Sequence, residues 1–179
     1  KTSLVYAVSE VPSPPSKFGT QQIDGMGFLP DGRLVVCMPS GEIFFYDIQK
    51  NKWHLFAEGL HNPLGIVVIS NSELVVSQRP ELTRVRDTDG DGKADDFEAV
   101  SEAFGMSGNY HEFHFTPVRD AEGSFYFSLG TGSSGNSDAP NSTTFEKLGH
   151  APSGGASFLD NAHDAFWFIA DAATGTFPT

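Results

Sequence analysis

The sequence predicts an all-β chain, a β-propeller of four-stranded blades, and three observations carry that expectation. Short β-branched and aromatic runs recur between glycine, proline and aspartate turn signals. The same order of turn and strand returns after about 40 residues, which is the period of a propeller blade. The composition holds 16 phenylalanines and 19 glycines with few amphipathic helical stretches, as short strands joined by turns require. A β-sandwich with regular strand spacing is the rival arrangement. The repeated internal order of each unit favours the propeller.

In chain order, residues 4–11 alternate in places and read as a first strand. Residues 11–16 carry three prolines, which fix φ and remove donors, and read as a plain extended surface loop. Residues 25–38 then read as strand, Pro-Asp-Gly turn and strand. Residues 41–47 and 52–58 supply two more strands. A turn at 59–63 restarts the cycle. Residues 64–69, 73–78 and 82–86 are the strands of the second unit. The third begins at 113–116, turns at 120–123 and continues through 124–129. Residues 130–157 form a flexible Gly/Ser-rich region. Residues 162–170 are apolar, and periodicity does not separate a strand from a short helix there.

The strands at 33–37 and 73–77 set the period of about 40, and the next interval is nearer 50. An inserted acidic loop at 87–98 is expected to account for the excess. The whole of residues 1–179 is read as one propeller domain or a piece of one, with three to four blades. A closed six-bladed ring at this period needs roughly 240 residues.

Lysine plus arginine number 11 and aspartate plus glutamate 23, a formal net charge of −12. Such a surface repels phosphates, so nucleic acid is excluded as the main partner. There is no apolar run of about 18 residues, so no span of a membrane is expected. The single cysteine, Cys37, lies in an apolar run and reads as a buried small hydrophobe. The chain shows neither a start methionine nor a signal peptide, in keeping with a mature or trimmed form. Asn141-Ser-Thr143 fits a glycosylation acceptor, a pattern common by chance.

The most specific motif is Asp87-Thr-Asp-Gly-Asp-Gly-Lys-Ala-Asp-Asp-Phe-Glu98. It puts acidic oxygens at loop positions 1, 3, 5, 9 and 12 and glycine at position 6, the spacing of an EF-hand loop. Asp87, Asp89, Asp91, Asp95 and Glu98 are therefore the expected metal ligands. Carboxylates this dense repel one another unless a cation lies between them. Calcium suits an all-oxygen set of this size. The flanks are β-branched and interrupted by Pro80, so the loop is expected between strands and not between helices.

His111 follows a small-residue turn at the start of an expected inner strand. There a neutral imidazole can serve as a general base or simply bond the backbone. A hydrolase or lyase using Glu112 or Asp120 with His111 is a weaker option, because no paired carboxylates stand at a convincing spacing.

Three runs, residues 58–66, 78–96 and 107–113, resemble the propeller domain of bacterial glucose/sorbosone dehydrogenase-like proteins. The resemblance is to quinoproteins and is closest to large secreted forms with haem-binding modules. It covers roughly residues 4–132. It implies a secreted or periplasmic protein that oxidises a sugar or polysaccharide-derived substrate. By it, His111 takes the hydroxyl proton and hydride passes to pyrroloquinoline quinone (PQQ). The quinone is held by calcium and by arginines of later blades, and a haem or cytochrome module accepts the electrons. Residues 125–130 match the second strand of the catalytic motif. The 87–98 loop is distinct from the calcium site that holds the quinone in those enzymes. Tyr110 stands where aspartate is frequent, and Gly130-Thr131 where Gly-Asp is expected. These departures support an alternative, a non-catalytic calcium-stabilised propeller that binds a glycan or a protein.

Overall fold

The computed structural model describes residues 9–19, 21–79, 81–101, 115–130 and 165–170. All regular structure among them is antiparallel β. Four strands, β1 (Gly25–Phe28), β2 (Leu34–Cys37), β3 (Ile43–Asp47) and β4 (Lys52–Ala57), form one sheet in sequence order. A second sheet repeats it with β5 (Gly65–Val68), β6 (Glu73–Gln78), β7 (Glu81–Arg86) and β8 (Asp96–Ser101). A third holds β9 (Val118–Arg119), β10 (Phe125–Gly130) and β11 (Ala165–Ala170), in the order β11-β10-β9. These are three successive blades, and the chain folds as part of a β-propeller.

The repeat extends to pairing. Gly25 lies opposite Cys37 and Phe28 opposite Leu34 in blade 1; Gly65 lies opposite Ser77 and Val68 opposite Leu74 in blade 2. The register shifts at the equivalent place in each blade, between Ile43 and Phe44 and between Leu82 and Thr83. The extra residues are Phe56 on β4 and Val100 on β8, β-bulges that bend the outer strand. Innermost strands of neighbouring blades come close where side chains are missing. A Cβ on Gly25 would sit 2.7 Å from the Leu64 carbonyl oxygen, and one on Gly65 would sit 2.2 Å from Thr116 Cα.

Alternation along each strand sends apolar side chains to both faces, and blade 2 is buried between blades 1 and 3. The core between blades 1 and 2 joins Val35, Cys37, Ile43, Phe45 and Phe56 to Ile66, Leu74, Val76 and Val85. Phe45 stacks on Phe56 with ring centroids 4.2 Å apart. Between blades 2 and 3, Val75, Leu82 and Val100 meet Phe125 and Phe127. Each such side chain contributes about 1.5–3 kcal/mol on burial.

Several expectations change. The proline-rich segment is not a plain surface loop. Pro14 is buried, the Trp53 indole N–H donates to the Pro12 carbonyl at 2.7 Å, and Ser16 and Lys17 are tied to Glu42. Glu42 is 1 % exposed, and its carboxylate accepts the Ser16 and Ser40 hydroxyls and the Lys17 amide. The third unit pairs first at Val118–Arg119, whereas Phe115 and Thr116 lie outside any strand. Residues 113–114 lie outside the described residues. So do residues 4–8 of the expected first strand, and residues 9–11 are not extended into a sheet. The apolar stretch near the end is a strand, pairing Phe127 with Phe168. Gly130 ends β10 and is not loop; residues 131–157 lie outside the described residues. The acidic loop explains only part of the longer second interval: residues 87–95 replace the short turn at 48–51, and the connection from β8 to β9 supplies most of the rest.

Candidate metal centre

The acidic loop joins β7 to β8 at one end of blade 2, and both flanks are strands, as the β-branched sequence required. Its turns are built by the carboxylates themselves. Asp87 accepts the amides of Gly90 at 2.7 Å and Gly92 at 2.9 Å. Asp89 accepts the Asp91 amide at 3.1 Å, and Asp91 the Lys93 amide at 2.8 Å. Gly90 and Gly92 have φ of 80° and 89°, a left-handed conformation in which a Cβ is strained. Gly92 is the position-6 glycine of the motif.

These turns bring Asp87, Asp89 and Asp91 together, with one ligand oxygen from each inside a sphere of mutual separations of 4.8 Å or less. Calcium binds oxygens at about 2.3–2.6 Å, so two ligands of one ion lie at most about 5 Å apart. The three carboxylates meet that limit, and their donor chemistry suits a hard cation. Asp87 is half-buried; Asp89 and Asp91 are exposed.

The other two expected ligands are engaged elsewhere. Asp95 accepts the Thr88 amide at 2.8 Å and the Thr88 hydroxyl at 2.7 Å, closing the base of the loop. The Thr88 hydroxyl, then its amide, hold the Asp95 carboxyl below the usual carboxylate range. Glu98 belongs to strand β8 and pairs with Arg84 at 3.2 Å and Arg86 at 3.0 Å. Arg86 also pairs with Asp96 at 2.5 Å; that bond, ahead of any other cause, raises the guanidinium above its ordinary value.

The loop also reaches the neighbouring blade. The Ala94 amide donates to the Phe56 carbonyl at 2.7 Å, and the Ala94 side chain packs on the blade 1–blade 2 core. Beyond it, Asp91, Gly92 and Lys93 line one side of an open groove of about 880 Å³. Asp31, Arg33, Asp47, Lys50 and His54 of blade 1 line the other. Arg33 pairs with Asp31 at 2.8 Å and Lys50 with Asp47 at 2.9 Å, so the groove carries both signs of charge. Thr88 and Ala94 were not among the residues expected from sequence. A hydroxyl next to an aspartate and a backbone amide leave no motif.

His111, the expected base, lies outside the described residues, as do Glu112 and His114. Asp120 holds a turn. Burial pushes its carboxyl up, but the Ser124 amide and the Tyr126 hydroxyl outweigh that and keep it below its ordinary value.

The family of a domain of unknown function, DUF7133, matches residues 30–153, more than half of the chain. This chain is a DUF7133 protein. The matched span of the DUF7133 domain holds strands β2 to β4 of blade 1, all of blade 2 with the acidic loop, and β9 and β10 of blade 3. No curated protein matches it. Among solved structures, the DUF7133 chain resembles one from Thermus thermophilus assigned as an oxidoreductase (glucose dehydrogenase). The TM-score is 0.52 and the identity 16 %, covering 65 % of this chain and 39 % of that one. At that identity the likeness shows the fold alone, and this chain spans about two fifths of its neighbour's length.

Proposed function

We propose that this chain contributes to a calcium-stabilised propeller of the quinone-dependent sugar or aldose dehydrogenase type. The observation that carries the reading is the propeller fold shared with a protein assigned as a glucose dehydrogenase. The sequence resemblance around residues 78–96 and 108–115 supports it independently. Calcium would be held by Asp87, Asp89 and Asp91, with Asp95 and Glu98 recruited from their present partners. An exposed three-carboxylate loop suits the millimolar calcium met by extracellular modules, in line with a secreted or periplasmic protein.

In this reading His111 takes the proton of the sugar hydroxyl through a neutral imidazole. Pyrroloquinoline quinone, when bound, supplies the hydride acceptor. No described residue is placed against the quinone, so its support is the resemblance alone. Oxidised substrates would be sugars or polysaccharide fragments, and a haem or cytochrome module would receive the electrons.

Dye reduction by aldoses, measured after adding calcium and the quinone, tests the reading. Activity is expected in the parent and lost in His111→Ala. Equal turnover in both proteins would remove His111 as the base, and no turnover in either would remove the dehydrogenase assignment.

The second reading is a non-catalytic propeller binding a glycan or a protein. The open, mixed-charge groove between the metal loop and blade 1 favours it. Glycan binding by protein that neither contains nor needs the quinone separates the two.

A further inference from the structure

The groove between the acidic loop and blade 1 has polar side chains already fixed in place. The register sets Phe45 opposite His54 and Asp47 opposite Lys52, so these side chains share the face of blade 1 that turns toward blade 2. The Arg33 guanidinium carbon lies 5.0 Å from the centre of the Phe45 ring, and Phe45 is itself buried and stacked on Phe56. Asp31 accepts the Arg33 amide at 3.0 Å and the Arg33 Nε at 2.9 Å. Asp47 accepts the amides of Gln49 and Lys50, both at 3.0 Å. Side chains held in this way lose little freedom when a ligand arrives. The Arg33 and Asp31 side chains are still 29 % and 35 % exposed, so a ligand in the groove can reach them. The volume of about 880 Å³ falls within the range of ligand sites, about 300–1,000 Å³.

The charges around the groove decide the class of ligand. Arg33, Lys50 and Lys93 line it against Asp31, Asp47 and Asp91. The Arg33 guanidinium holds the Asp31 carboxyl, and the Lys50 ammonium the Asp47 carboxyl, below the ordinary carboxylate range, so both are charged at neutral pH. Asp87 and Asp89 add two negative charges beside Asp91, within separations of 4.8 Å. A divalent ion on that cluster cancels the two charges in excess and leaves the groove balanced. A charged ligand would have to displace one member of an existing ion pair. A hydroxyl donates to the carboxylates and accepts from the cations while both pairs stay intact.

We propose that this groove binds a neutral, hydroxyl-rich oligosaccharide, and that it does so with calcium on the acidic loop. The segment from Asp91 to Lys93 is part of the metal turn and also the groove wall. Asp91 accepts the Lys93 amide at 2.8 Å, so an ion that fixes Asp91 also fixes where Lys93 stands. The Ala94 amide, bonded to the Phe56 carbonyl, ties the far end of that wall to blade 1. The inference rests on the second reading above and narrows its occupant to a glycan and its place to this groove.

The purified protein, with no quinone added, is applied to an array of neutral and uronic-acid oligosaccharides in millimolar calcium, and those retained are titrated by calorimetry. Neutral oligosaccharides are expected to bind, and a chelator, Lys93→Gln or Arg33→Gln should each weaken them roughly tenfold or more. Melting temperatures taken alongside show which variants are folded, and the exposed Lys93 keeps the test decisive should Arg33→Gln unfold. Binding indifferent to the chelator and to Lys93→Gln would overturn the inference and leave the second reading standing, with the glycan held elsewhere. A preference for uronic-acid oligosaccharides would overturn it as well. No glycan bound would overturn it and leave the second reading only its protein partner. A glycan bound only after the quinone is added would remove the inference and the second reading together.

Discussion

Ala94 and Phe56 are joined across two blades by a hydrogen bond of 2.7 Å, amide to carbonyl. The carbonyl is free because Phe56 is the extra residue of the β4 bulge, out of step with β3. The amide is presented because the acidic loop ends one residue later, where the Asp95 amide returns to the Arg86 carbonyl. The loop that gathers three carboxylates is thus also the loop that latches blade 2 onto blade 1. Ala94→Pro removes the donor and is expected to cost about 1–3 kcal/mol. Urea unfolding measures it, and an unchanged midpoint would show the latch to be idle.

Cation binding confined to the folded state adds stability, about 2.7 kcal/mol at a hundredfold excess over Kd. Chelation is therefore expected to lower the melting temperature by several degrees. Asp87→Ala, which removes the carboxylate holding both loop glycines, should abolish the response to calcium. A chelator without effect on the parent removes the metal assignment.

Acid should loosen the same loop. The Asp95 carboxyl is held below its ordinary value by Thr88. Its contribution is present above the ordinary carboxylate pKa and is lost as pH falls through the depressed one. Thr88→Val removes the hydroxyl that lowers it and should reduce stability near neutral pH and make the acid limb of the melting-temperature profile shallower. A superimposable profile would exclude Asp95 as its source.

Glycines at the inner strands are expected to be intolerant in a defined order. Gly65→Ala drives a Cβ into the Thr116 backbone at 2.2 Å, whereas Gly25→Ala meets the Leu64 carbonyl oxygen at 2.7 Å. Both destabilise, Gly65→Ala more, with a cost of roughly 3 kcal/mol or above for the overpacked backbone contact. Chemical denaturation of the two variants checks the ranking, and the reverse order would contradict the interblade geometry.

Burial pushes the Cys37 thiol up to about 12 from 9.0. The folded state keeps the proton that the unfolded chain gives up. Stability from this group is fully present below about pH 9 and declines by up to about 1.4 kcal/mol per unit as pH rises toward 12. Cys37→Ala should flatten that decline. Thiol reagents at about pH 8, near the ordinary thiol pKa, should label the parent only as it unfolds.

Alternating apolar runs, turn glycines and the interval of about 40 residues were legible as blades before any coordinate, because strand periodicity and turn chemistry are local. Asp87, Asp89 and Asp91 were legible for the same reason: Gly90 between them and Gly92 just after them permit the turns that bring them together. The present ties of Asp95 to Thr88 and of Glu98 to the arginines of β7 were not legible, since they depend on how the loop closes on its flanking strands. The tie of the proline-rich segment to Glu42 and Trp53 was equally hidden, because it joins residues far apart in the chain. The sequence by itself determined strand type, repeat and acidic turn, all set by neighbours along the backbone. Only the tertiary structure decided which faces are covered and which carboxylates are free to meet, because those depend on how separate sheets pack.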